Sequence, residues 1–121
     1  MKENNAILIK SKAFAFRIIK MYQYLTDTKK EYVMSKQVYR SGTSIGANVK
    51  ESINAQSNAD FINKLSIALK EADETEYWLD LLHEAHYITD IEFDSIKKDC
   101  IELIKLLTSI INSSKKKYNK N

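Results

Sequence analysis

Residues 40–51 read RSGTSIGANVKE and hold both glycines of the 121-residue chain, Gly42 and Gly46. Such a stretch is a loop that cradles a ligand, a break between two helices, or a helix thinned where a neighbour comes close. Apolar spacing decides between them. Met34, Val38, Ser41 or Gly42, Ile45, Val49 and Ile53 follow one another by threes and fours, with no loss of phase across the glycines. A break would reset that register. The spacing predicts one helix over about 31–56, roughly 38 Å long at the helical rise. GTSIG also lacks the lysine and the spacing of a phosphate-binding P-loop. A glycine costs a helix about 1 kcal/mol relative to alanine, so two of them need a compensating contact. Gly42 and Gly46 stand four apart on one face, where missing side chains let a second helix approach closer than the usual ~8–10 Å between axes.

Three further segments carry helical stripes. Ile7, Phe14, Ile18, Met21 and Leu25 mark the first; Phe61, Leu65, Ala68, Ala72, Leu79 and Leu82 the third; Phe93, Ile96, Cys100, Leu103, Leu107 and Ile110 the fourth. These predict helices over about 4–27, 58–85 and 90–113. The chain has no proline and two glycines, which starves a β-rich or loop-rich fold of its turn residues. The connections are short: TDTKKE with Thr28 as a cap and Glu31 three residues on, QSNAD with Ser57 or Asn58 opening the third helix, and HYITD with Thr89 or Asp90 opening the fourth. Short links force antiparallel neighbours, so the expected fold is all-α, an up-down-up-down four-helix bundle over 1–113. Residues 114–121, the greater part of SSKKKYNKN, have no apolar stripe and are expected to be a disordered basic tail.

Nothing at the start resembles a signal peptide, and no stretch approaches the ~20 apolar residues of a membrane span. Cys100 is the only cysteine, which excludes an internal disulfide and fits a cytoplasmic location.

The formal net charge of +3 conceals segregation. Residues 1–50 hold 10 basic and 3 acidic side chains, residues 51–96 hold 2 and 11, and residues 97–121 hold 7 and 2. That pattern suits self-association of unlike faces or a polyanionic partner, or else neighbouring helices that neutralise each other. Beside the apolar stripe of the second helix runs a polar ridge of Lys36, Arg40, Ser44, Asn48 and Glu51. It is either a solvated face or a seam in which Arg40 or Asn48 meets Glu71 or Glu74 of the acidic third helix.

RSGTSIGANVKES, followed by DFINKLSIALKEADETEYWLDLL and a hydrophobic fourth helix, resembles the bacterial four-helix-bundle proteins encoded in intervening sequences of 23S ribosomal RNA genes. The resemblance runs from about Phe14 to Ile111. It touches Arg40, Ser41, Gly42, Thr43, Ser44, Gly46, Asn48 and Glu51, then Lys70, Glu71 and Glu74. It implies an up-down bundle that assembles into a pentameric ring and has no assigned catalytic residue. It also implies kinship with accessory proteins of diversity-generating retroelements, which are implicated in binding nucleic acid and a reverse transcriptase.

Catalytic chemistry finds little support in the residues. His83 and His86 stand three apart with Asp80 a turn earlier, but a di-iron bundle needs a Glu-x-x-His motif on each of two helices. Cys100 falls on the core stripe and reads as an inert apolar side chain. No cofactor, metal or catalytic residue is expected. Nucleic-acid binding would rest on Arg17, Lys20, Lys36, Arg40, Lys115, Lys116 and Lys117, with Tyr22, Tyr24, Tyr39 and Tyr118 interleaved for stacking. The rival reading is a protein-binding scaffold that uses Tyr39, Tyr77 or Trp78.

Overall fold

The computed structural model describes residues 2–119, and the side chains of residues 6–117. It contains four helices: α1 over Lys2–Asp27, α2 over Met34–Ile53, α3 over Asn58–Glu84 and α4 over Asp90–Asn119. Each packs on the next and α4 returns to α1, while the diagonal pairs α1–α3 and α2–α4 make no close backbone approach. The chain is thus an antiparallel four-helix bundle, as the spacing predicts. No helix among the described residues is long and apolar enough to cross a membrane.

The predicted stripes form the core. Ile18, Leu25, Val38, Ile45, Leu65, Leu79, Leu82 and Leu107 are fully buried, each such side chain contributing about 1.5–3 kcal/mol through removal from water. Five stripe residues behave differently. Met21, Met34, Phe61 and Phe93 pack only partly against the core, and Ile53, the last residue of α2, is 48% exposed.

The boundaries of α2 differ from the expected 31–56, for local reasons at each end. At its start, Thr28 and Glu31 do not form a capping box. Glu31 instead folds its carboxylate over the following backbone, accepting N–H bonds from Val33 at 3.1 Å, Met34 at 3.0 Å and Ser35 at 2.7 Å. The helix begins only beyond that cap. At its end, the Asn54 N–H turns back to the Glu51 carbonyl at 3.1 Å, and Ser57 then caps α3 by accepting the Asp60 N–H at 3.1 Å. The start of α4 is a reciprocal box: Thr89 Oγ1 accepts the Glu92 N–H at 3.2 Å, and Glu92 Oε1 accepts the Thr89 N–H at 2.8 Å.

Residues 114–119, expected in a disordered tail, continue α4. Ser114 is 8% exposed, and its carbonyl accepts a bond from Asn58 Nδ2 at 3.3 Å. This ties the helix to the first residue of α3, and Lys116 and Lys117 then lie where cations favour a helix C-terminus. Residues 120 and 121 lie outside the described residues.

Candidate functional site

The glycine segment is helical throughout and faces α1. A Cβ built on Gly42 would lie 2.7 Å from Cγ1 of Ile18, and one built on Gly46 would lie 3.3 Å from the Ser11 carbonyl oxygen. Both distances are closer than comfortable van der Waals contact, so these glycines are where α1 and α2 press together. The partner face matches: Ser11 is fully buried, and its hydroxyl returns to the Leu8 carbonyl at 3.2 Å.

On the other side of α2, the polar ridge meets α3 at two residues, Arg40 and Glu51. Arg40 Nη1 donates to Glu71 Oε2 at 3.0 Å and Nη2 donates to Glu74. The bond to Glu74 and the charge of both carboxylates push the guanidinium above its ordinary pKa, against the opposing effect of desolvation. Ser44 and Asn48 do not cross to α3. The Ser44 hydroxyl bonds the Arg40 carbonyl at 2.6 Å, and Asn48 Nδ2 bonds the Ser44 carbonyl at 2.9 Å. Glu51 faces Lys64 at 3.7 Å.

Beneath this seam lies a contact that the spacing does not announce. Ser41 and Thr75 are both fully buried, with their hydroxyls 2.9 Å apart. The signal in the sequence is a threonine standing between Ala72 and Leu79 on an otherwise apolar stripe.

The seven basic candidates do not converge. Arg17 is bound to Asp99 at 2.6 Å and to the Ser95 hydroxyl at 2.9 Å on α4, and Arg40 is bound to α3. Lys20 borders a groove between α1 and α4. Lys36 is exposed near the start of α2. Lys115, Lys116 and Lys117 are exposed at the opposite end, where α4 runs past the start of α3. A single copy therefore presents dispersed cations, two of them already paired.

A family model for the 23S rRNA-intervening sequence protein matches residues 3–109. The chain belongs to that family. It is also similar to a crystal structure, at 1.70 Å resolution, of a protein with unknown function from the S23 ribosomal protein family of Bacteroides thetaiotaomicron VPI-5482. The two are 57% identical with a TM-score of 0.90, over 91% of this chain and 98% of that one. No curated protein matches.

In this member of the 23S rRNA-intervening sequence family, His83 and Cys100 are engaged inside the bundle. His83 Nε2 lies 2.7 Å from Asp90 Oδ1, and its ring stacks on Phe93 at 4.0 Å and 5°. These contacts fasten the end of α3 to the start of α4. His86 is exposed at the helix corner with φ 66°. No cluster of three or more metal-ligating side chains occurs among the described residues. Burial pushes the Cys100 thiol up to about 12, and the nearby Glu76 carboxylate adds to the shift. The thiolate that would attack is therefore scarce at neutral pH. A disulfide reagent such as DTNB is expected to leave Cys100 unmodified in the folded chain and to titrate one thiol per chain in denaturant. Rapid labelling of the native protein would contradict the burial.

Proposed function

We propose that this protein acts by association and not by catalysis. In this reading, copies join side to side in a homo-oligomeric ring, a pentamer in keeping with the resemblance, and the repeated lysines hold RNA or DNA. The observation that carries the reading is a pair of outward faces. On α1, Ile9 is 68% and Phe16 58% exposed, and Lys12 and Lys20 are exposed nearby. On α3, Ile67 and Tyr77 are exposed with Asp73 between them, in the segment that holds 11 of the chain's carboxylates.

Because α1 and α3 lie diagonally, a contact from α1 of one copy to α3 of the next is heterologous, and such contacts make rings when the rotation closes. Apolar side chains then meet apolar ones, and lysines face carboxylates. Assembly also remedies the dispersion of the free lysines. Lys36 on one copy and Lys115–Lys117 at its far end recur in every copy, so weak phosphate contacts add as avidity.

Light scattering tests the assembly. The wild-type chain should run as an oligomer and Phe16→Asp as a folded monomer; a wild type that is monomeric at all salt concentrations removes the ring. Fluorescence anisotropy with RNA and DNA tests the second half. Affinity should fall steeply as salt rises and should weaken when Lys36 and Lys115–Lys117 are changed to glutamate. Binding absent even at low ionic strength removes the nucleic-acid role. The internal pairing of Arg17 and Arg40 favours a second reading, a protein-binding scaffold. That reading expects partner capture to survive charge reversal at Lys20 and Lys36.

A further inference from the structure

The charge of the bundle is split along its length. Residues 6–15, 44–70 and 101–117 share one half, where Gly46 meets Ser11, Lys10 lies 3.2 Å from Glu102, Lys64 lies 3.7 Å from Glu51 and Asn58 bonds Ser114. That half holds nine basic and three acidic side chains, a net +6 in which Glu51, Asp60 and Glu102 are already counted. Residues 16–43 and 71–100 make the other half, with eight basic and twelve acidic side chains, a net −4 with the histidines neutral. Each ion pair among the described residues joins two groups of the same half. Pairing therefore leaves the total charge of each half unchanged.

The excess is concentrated on α4. Beyond Glu102 the chain has five lysines and no acidic side chain. Lys105, Lys115, Lys116 and Lys117 are exposed and have no ion-pair partner among the described residues. Lys105 and Lys116 stand eleven residues apart, close to three turns, which sets them on one side of α4 roughly 17 Å from each other. Asn58 holds this end of α4 to α3, and the proposed ring, joined through α1 and α3, leaves α4 uncovered. The exposed tyrosines among the described residues, Tyr32, Tyr39 and Tyr77, all lie in the negative half. Rings on which unpaired bases would stack therefore stand apart from the free cations. A duplex keeps its bases stacked inside and offers about one phosphate charge per 1.7 Å, roughly twice the density of one strand. We propose that Lys105, Lys115, Lys116 and Lys117 hold a nucleic-acid duplex by its phosphates, without reading its sequence. This site presupposes the nucleic-acid role above and narrows it to α4 of each copy, in a half that contains neither Lys20 nor Lys36.

The test is fluorescence anisotropy at low salt on the full chain, with a short DNA duplex and with one of its strands alone. The duplex should bind about threefold more tightly than the strand. Lys105→Glu/Lys116→Glu should weaken duplex binding about tenfold and make it less salt-dependent, and Lys105→Gln alone should weaken it about threefold. Lys29→Glu/Lys30→Glu makes the same change in charge at the opposite end of the bundle and should leave binding within about twofold of the wild type. All four lysines are exposed, and unchanged melting temperatures should confirm that the variants fold. An RNA duplex titrated in parallel tells the two sources of phosphate apart. A wild type that binds neither duplex nor strand removes the nucleic-acid role, and this site with it. Three results overturn the duplex site and leave that role standing: a strand that binds more tightly than the duplex, full affinity in Lys105→Glu/Lys116→Glu, or an equal loss in Lys29→Glu/Lys30→Glu. Co-flotation with phosphatidylglycerol vesicles that is lost on reversing Lys105 and Lys116 would assign the face to a membrane and also overturn it.

Discussion

Gly42→Val is expected to lower the unfolding free energy by about 3 kcal/mol, measured by urea or guanidinium denaturation. The first atom of any side chain at this position would lie 2.7 Å and 2.9 Å from Cγ1 and Cγ2 of Ile18. Ile18 is completely buried, and those are the branch atoms next to its backbone, so it has little room to turn aside. Overpacking of this kind costs about 1–3 kcal/mol, and valine adds two methyl groups to the collision. Gly42→Ala carries the same first contact, but alanine returns about 1 kcal/mol of helix propensity. A net loss of about 1 kcal/mol is expected.

A double-mutant cycle isolates the cause. Ile18→Ala alone should cost about 2–5 kcal/mol through the cavity it leaves. In the Gly42→Ala background its cost should be smaller, because the new methyl occupies part of that space. Additive costs would mean that the two residues do not touch. A Gly42→Ala protein more stable by the full propensity difference would show that α1 and α2 are not close there. Gly46→Ala is a useful contrast. Its Cβ would meet the Ser11 carbonyl at 3.3 Å, a contact relieved by a shift of a few tenths of an ångström, so it should stay near neutral.

This helix contact is legible in the sequence because two glycines in an uninterrupted apolar register weaken the helix unless a neighbour presses close against them. The identity of the opposing residues is not. Ile18 and Ser11 lie on another helix, and the vertical offset between α1 and α2 depends on the connection between them. Arg40 illustrates the middle case. Its spacing on the ridge and the carboxylates of α3 suggest a meeting, which the structure places at Glu71 and Glu74. Asn48 looks equally able to cross, yet a short side chain reaches its own helix carbonyl first. The dispersion of the basic residues is hidden for a related reason. Net charge adds along the chain, whereas pairing such as Arg17 with Asp99 joins residues 82 positions apart.

The start of α2 departs from the expected boundary because one sequence signal has two local solutions. Thr28 and Glu31 have capping-box spacing, but the glutamate that would close that box caps the same helix from a later start. Truncating it as Glu31→Ala is therefore expected to cost about 2–3 kcal/mol. The Val33 and Met34 N–H groups lie at a solvent-facing corner, Val33 being 74% exposed, and water replaces the lost acceptor there. Ser35 is completely buried, so its N–H, now 2.7 Å from Glu31 Oε1, is stranded, at a cost of about 1–3 kcal/mol.

Glu31→Gln separates charge from shape and gives a pH signature. Burial pushes the Glu31 carboxyl up, but the backbone bonds from Met34, Ser35 and Val33 together outweigh it and hold the pKa below the ordinary 4.5. Between the folded and unfolded pKa values the unfolded chain binds the extra proton. The stabilisation is then complete above the unfolded value and is lost as pH falls through the folded one. Denaturation midpoints for the wild type should hold steady above about pH 5 and decline below about pH 4.5, while Glu31→Gln should start lower and decline less. Parallel curves for the two proteins across that window would mean that the carboxylate charge is not what holds the first turn of α2.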